Sequence, residues 1–359
     1  MHRLVVRFLK LIAVFVALLG LHFVGDRIRF ERLLNKLYIT FDDFPDDYSR
    51  AMAKMPNDTE IKAYDLSQFP EWDPYRDIPP TIHFIFFPDL YETHQEGTDM
   101  ASMGSHAPNL CRGYNTDFEI NIWNATAARQ LLEQRYEWFL PTYDGYTHPI
   151  QRVDAIKYFV LYTYGGFYLD LDIACRRSLK PLQRFPAFLA RASPEGLNND
   201  LLATRAGHPV WKMMIDTLAP RQRWSWSLVF PYLVIFWSTG PQFATDMVKA
   251  FFDANPERAA YVAGSTKAQA HPDDIFILPQ EFYSEQYTFF GHSPGGTWHE
   301  GDVAVVLWFA ARPWVPVLLV VSIGVTVITI KRRHSLFCRR YREKESRLLG
   351  TPGAEEEEL

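Results

Sequence analysis

The stretch from Arg152 to Asp172 constrains the fold of this chain more than any other. Val153, Ile156, Val160 and Tyr164 recur at helical spacing, with Asp154, Lys157 and Leu161 along an adjacent face, so its first half predicts an amphipathic helix. Gly165-Gly166 stops that helix, because glycine takes the left-handed conformation with which helices end. The second half alternates like a strand, with Phe167, Leu169 and Leu171 to one side and Tyr168, Asp170 and Asp172 to the other. Both carboxylates then point the same way, about 7 Å apart at Cα, close enough to share one hard cation and a pyrophosphate bound to it. A strand this apolar belongs in the middle of a sheet, where an unpaired carboxylate pair is expensive to bury. The strand is therefore expected to end at a cleft, where the pair binds a metal or lies in water.

The flanking sequence supplies the rest of an α/β domain. Pro79 and Pro80 set off an apolar strand, Thr81 to Phe87; Phe118 to Trp123 alternates as a second, and Ala127 to Phe139 continues as a helix. This βαβ alternation predicts a mostly parallel sheet with ligands beyond the carboxyl ends of its strands. Asn199-Asp200 leads into another apolar run; a bare pair of this kind is ordinarily a turn. Trp224 to Trp237 is the most apolar internal stretch, too short to cross a membrane, and reads as core or as a surface dipping into lipid head groups. In the segment closing the domain, Gly295-Gly296 lets backbone approach a ligand closely, and His299 is able to ligate a metal.

The 359 residues hold one domain of ~250 residues with segments to spare. Arg3, Arg7 and Lys10 precede and interrupt an apolar run to Val24, and no small-x-small cleavage site comes after it. Residues 1–25 are therefore expected to be an uncleaved signal-anchor transmembrane helix, and 26–77 a stem. Residues 303–330 read as an interfacial and transmembrane segment, and 331–359, opening on Lys331-Arg332-Arg333, as a cytosolic tail. With both termini cytosolic, the domain at 78–302 faces the lumen, where sequons at Asn57 and Asn124 are usable. Cys111 and Cys175 could pair in such a compartment, although spacing does not show it, and Cys338 reads as a free cytosolic thiol. A net charge of -5 argues against nucleic acid as a partner. The 15% aromatic content suits carbohydrate stacking and a membrane interface alike.

The run from Ile150 to Asp172 resembles the core of the DXD-containing, family 32-like glycosyltransferases, which include fungal mannosyltransferases of sphingolipid and glycan synthesis and the clostridial glucosylating toxins. That resemblance implies a GT-A-like, Rossmann-like nucleotide-sugar-binding domain, here flanked by two transmembrane helices. By the same resemblance Asp154 and Lys157 contact the nucleotide-sugar, while Asp170 and Asp172 hold a divalent metal, Mn²⁺ or Mg²⁺. Lysine stands at 157 where arginine is usual, a point charge in place of a bidentate fork. Asp154, Asp172, Asn199 and Asp200 are implied as catalytic residues near the reacting sugar, and His83, Thr239 and Gly240 on the donor side. Trp298 is implied to cover the donor, with His299 completing the metal site.

The second span brings the likeness nearest to the fungal mannosyl-inositol-phosphorylceramide synthases. These imply transfer of mannose from GDP-mannose to inositol phosphorylceramide, with retention of configuration, in the Golgi membrane beside a multi-span regulatory subunit. A transferase of the same family acting on protein-linked or other glycans remains open at this point, as does a non-catalytic, membrane-tethered glycan-binding or scaffold protein.

Overall fold

In the computed structural model the described residues are 2–54, 65–87, 105–225, 228, 230–264, 267, 270–283, 289–292, 301–312 and 314–349, with 2–17 described by backbone alone. The chain divides into two compact units, Met1–Trp298 and His299–Leu359.

The first unit opens with helices α1 (His2–Lys36) and α2 (Asp46–Lys54) and strand β1 (Thr81–Ile85). Helix α3 (Ala107–Tyr114), strand β2 (Glu119–Trp123) and helices α4 (Ala125–Arg135), α5 (Leu140–Asp144) and α6 (Pro149–Tyr164) come after them. Strands β3 (Gly166–Leu169), β4 (Ile173–Cys175), β5 (Ala187–Arg191) and β6 (Leu197–Thr204) are next. Helices α7 (Pro209–Ser225), α8 (Pro231–Ser238), α9 (Pro241–Ala254) and α10 (Pro256–Gly264), then β7 (Phe276–Leu278) and β8 (Phe290–His292), complete it. The second unit contains α11 (Gly301–Ala310) and α12 (Trp314–Leu349).

The main sheet has the order β2-β1-β3-β6-β5-β7. β1 pairs parallel with β2 and β3, and β5 parallel with β7, whereas β6 runs antiparallel to both β3 and β5. The sheet is thus parallel-rich, as the βαβ pattern implies, with β6 reversed among five strands of common direction. The carboxyl ends of β3 and β5 and the start of β6 consequently share one rim. β4 and β8 form a separate antiparallel pair.

Local chemistry explains the elements that place the site. Pro149 opens α6 at a position whose N–H would have no helical partner, and the Gln151 side chain accepts from the His148 N–H at 3.1 Å. Gly165 ends the helix at φ 68, and Gly166 comes next at φ 97. A Cβ at Gly165 would stand 2.6 Å from the Ala206 nitrogen, and one at Gly166 2.6 Å from the Thr81 oxygen, so backbone packing as well as conformation requires glycine at both. Phe159, Phe167, Phe188 and Trp211 are among the side chains wholly buried in the core.

Two element boundaries differ from the sequence reading. β1 ends at Ile85, and the expected helix from Ala127 to Phe139 is α4 with a 3-10 turn, Glu137–Phe139, after it. The stretch around Trp224 contains α8, partly exposed along most of its length. Among the described residues no helix is long and apolar enough to cross a membrane; the expected spans fall within α1, α11 and α12, partly outside the described residues.

Candidate active site

β3 stops at Leu169, and Asp170-Leu171-Asp172 is a turn closed by the Ile173 N–H donating to the Asp170 carbonyl at 3.0 Å. This corrects the expectation of a strand continuing through Asp172. The last ladder contact is the Asp170 N–H to the Asp200 carbonyl, 2.8 Å, after which the chain leaves the sheet and frees both carboxylates from its buried interior. Their side chains are 34% and 27% exposed. The turn is pinned from behind: Ser105 Oγ donates to the Leu171 carbonyl at 2.6 Å, and a Cys111–Cys175 disulfide joins α3 to β4. The pairing left open by sequence spacing is thus made.

Behind the turn lies a buried charged network. The Lys157 ammonium sits 2.9 Å from Asp154 Oδ1 and 3.5 Å from Asp170 Oδ1, donates to the Asn199 carbonyl at 3.0 Å, and lies 4.7 Å from the centre of the Tyr168 ring. Burial alone would lower the lysine pKa, but Asp154 and Asp170 outweigh it and the group is held in its charged form. Asp154 also accepts from Asn199 Nδ2 at 2.9 Å and from Thr239 Oγ1 at 3.0 Å. Asp154, Asn199 and Thr239 therefore hold one another and orient the lysine, inside the protein rather than on a cleft wall. Gly240 caps the start of α9 directly after Thr239.

The other face of β6 carries Asn198 and Asp200. Tyr283 donates its hydroxyl to Asp200 Oδ2, Asn198 Nδ2 donates to the same oxygen at 3.2 Å, and the Tyr283 ring stands 5.1 Å from that of His292. His292 Nε2 is 3.6 Å from Asp172 Oδ2. Hydrogen bonding to Asp172, together with the charges of Asp200 and Asp170, raises the histidine pKa against the effect of burial. Although a third of the Asp170 side chain is exposed, the protein atoms crowding it strip away water and push its pKa up to about 7, with Asp172 and Asp200 adding to the rise and Lys157 opposing it. Asp200 is raised as well, again chiefly by burial.

Four carboxylates, Asp154, Asp170, Asp172 and Asp200, thus converge on one lysine and one histidine. Asp200 Oδ1 is buried with no hydrogen-bond partner among the described residues. Such an excess of hard oxygen donors suits a divalent cation held by Asp170 and Asp172. Among the described residues no three His, Cys, Asp or Glu side chains are grouped to hold a metal unaided. Trp298 and His299 lie outside the described residues.

His83, expected on the donor side, is instead a core residue. Its Nε2 bonds to the Gly165 carbonyl at 2.9 Å, and its Nδ1 accepts from Trp123 Nε1 at 3.1 Å, so the ring has no nitrogen left for a ligand. Burial drops its pKa to about 4. Sequence reasoning passed over Tyr168, Asn198, Tyr283 and His292. Of these Tyr168 left a signal as the residue sharing a strand face with the two carboxylates, and His292 as the first of two histidines around Gly295-Gly296.

Residues 105–189 match the family described as the glycosyltransferase sugar-binding region containing a DXD motif. The chain carries that region, as the run from Ile150 to Asp172 implies. Inositol phosphoceramide mannosyltransferase 3 of Schizosaccharomyces pombe is 33% identical over 203 residues, 56% of this chain and 53% of that protein. Mannosyl phosphorylinositol ceramide synthase SUR1 of Saccharomyces cerevisiae is 30% identical over 275 residues, 76% of this chain and 64% of that one. The synthase CSH1 of the same yeast is 33% identical over 225 residues, 63% and 54% respectively. The aligned part thus spans between half and two thirds of the length of these relatives.

Proposed function

We propose that the chain is a membrane-bound, metal-dependent retaining glycosyltransferase that moves mannose from GDP-mannose to inositol phosphorylceramide. The observation that carries the chemistry is the convergence of Asp170, Asp172 and Asp200 at the end of β3, with buried Lys157 behind them. The names of the similar yeast proteins support the choice of sugar and acceptor.

In this reading the domain is GT-A-like. Asp170 and Asp172 would hold Mn²⁺ or Mg²⁺, which offsets the charge gathering on the departing nucleoside diphosphate. Lys157 keeps its charge and steadies Asp170 from the protein side, while Asp154, Asn199, Thr239 and Gly240 fix the lysine's place. Asp200, oriented by Tyr283 and Asn198, faces the acceptor side of the turn. Trp298 and His299 keep the roles the family resemblance implies, on the donor side and at the metal, and exclusion of water there would suppress hydrolysis.

Spans at 1–25 and 303–330 hold the domain in the Golgi lumen with both termini cytosolic, beside a multi-span regulatory subunit. The Cys111–Cys175 bond supports a lumenal domain, since such bonds persist in oxidising compartments. The test is to incubate the purified protein with inositol phosphorylceramide and GDP-mannose, UDP-glucose or UDP-galactose, with and without Mn²⁺. Consumption of GDP-mannose alone, dependent on metal and abolished by Asp170→Ala/Asp172→Ala, is expected. Mannosylated lipid from the double variant would end the proposal.

A further inference from the structure

Helix α1 does not meet the domain at an arbitrary place. Glu31 accepts from the Arg191 guanidinium and, at 3.1 Å, from the Gly196 N–H; Arg27 Nε lies 3.4 Å from Glu195. Arg191 ends β5, and Gly196 immediately precedes β6, so these contacts clamp α1 to the β5–β6 turn. That turn lies on the rim shared by the carboxyl ends of β3 and β5, and Asn198 and Asp200 begin two residues beyond Gly196.

From the clamp the helix runs inward. Phe30 and Leu34 are buried, and Ile39 bonds through its N–H to the carbonyl of Ile277 in β7 at 2.9 Å. Traced the other way, it leaves the rim. At 1.5 Å per residue Leu18 lies about 12 Å beyond Asp26 along the axis. Leu18, Leu19, Leu21, Phe23 and Val24, on that outward part, are 52–71% exposed. The unit therefore projects an uncovered apolar helix from the same end of the sheet that holds the carboxylate cluster.

A second apolar surface lies at that end. α6 runs back from it into β3, and Gln151 near its start donates to Ser238 Oγ at the end of α8, 2.7 Å. α8 carries Tyr232 stacked on Phe236, and Phe236 against Trp237, all partly exposed; Phe230 just before it is 39% exposed. Tyr232 and Trp237, whose rings have one polar edge, suit the head-group level of a bilayer, and Phe230 and Phe236 add apolar surface beside them.

We propose that the rim bearing Asp170, Asp172 and Asp200 rests on a lipid bilayer, with α8 in the head-group layer and the Arg27–Glu31–Arg191 clamp fixing the angle at which α1 enters the lipid. The clamp residues are positioning residues: they set how far the carboxylate cluster stands from a lipid head group presented in the membrane. This rests on the reading of the site as a transferase acting on a lipid, and it adds the orientation and the residues that enforce it.

The test uses the full chain in phosphatidylcholine vesicles containing nitroxide-labelled lipid. With Cys338→Ser removing the free thiol, a bimane fluorophore is placed by Tyr232→Cys on α8 or Phe230→Cys just before it, and by Ala206→Cys at the opposite end of β6. Quenching several-fold stronger at 232 and 230 than at 206 is expected. Equal quenching, stronger quenching at 206, or none at any position overturns the proposal, the last favouring a protein partner on α8. These readings need no activity, whereas failure to consume donor in detergent would count against the transferase reading alone. Glu31→Ala is further expected to lower transfer to bilayer-embedded acceptor about tenfold. Transfer to the same head group on a short soluble chain, and the donor KM, should hold; an equal loss with both acceptors would reduce the clamp to a fold-stabilising contact.

Discussion

Lys157 and Asp154, one helical turn apart and both buried, face each other at 2.9 Å, and the lysine turns the same ammonium toward Asp170 on the far side. One cation thereby joins helix α6 to the carboxylate turn. Removing it strips the buried Asp154 carboxylate of its ion-pair partner, so Lys157→Ala is expected to lower unfolding free energy by about 3–5 kcal/mol. Urea denaturation of the metal-free protein measures this; an unchanged midpoint would mean that the pair contributes nothing.

Asp170 should behave in the opposite way. Asp170 has its pKa raised by burial beside like charges, so its ionised form is a burden on the metal-free protein. Asp170→Asn is expected to keep or raise Tm while transfer falls by at least about 10²-fold, and Asp172→Asn to lower transfer as much. Scanning fluorimetry beside a donor-consumption assay separates the two effects, and a lowered Tm would point to a structural rather than a metal-binding turn.

Acid should unfold the protein through its buried histidines. His83 is lowered from 6.5 to about 4 and His208 to about 3, both chiefly by burial. The unfolded chain then binds protons that the folded one refuses, so stability falls as pH drops below 6.5 and goes on falling until the folded pKa is passed. The His83 shift alone corresponds to about 3 kcal/mol. His83→Gln, measured by chemical denaturation between pH 7 and 4, should flatten part of that slope; an unaltered slope would place the acid sensitivity elsewhere.

The Cys111–Cys175 bond closes a long loop, and its loss through Cys175→Ser is expected to cost about 2–4 kcal/mol. Because β4 comes directly after the carboxylate turn, metal affinity read by Mn²⁺ titration should weaken as well. Unchanged affinity would show that Ser105 alone holds the turn.

Much of this arrangement was legible because it is local. The Asp154-to-Lys157 spacing, the double glycine and the turn carboxylates are consecutive, and hydrophobic period decides each. The strand end at Leu169 was not legible: Leu171 continues the alternation, but pairing with β1 stops at Tyr168 and pairing with β6 at the Asp170 N–H. Tyr283 and His292 were hidden for another reason. They reach Asp200 and Asp172 through pairings across some 80 to 120 residues, which no local pattern encodes. His83 misled because a polar residue near a strand end looks like a ligand group until Trp123 and Gly165 are seen to satisfy it.

Asn199 and Asp200 are neighbours on reversed strand β6 yet serve opposite sides of the sheet, one facing α6 and the other Tyr283. Chain length here is consequently quantised. Adding or deleting a single residue between Leu197 and Leu201 would exchange the two assignments at a stroke, whereas residues 192–194 of the preceding turn can absorb such a change ahead of the Glu195 and Gly196 contacts to α1. Natural variation in length should therefore collect at 192–194 and stop abruptly before Glu195.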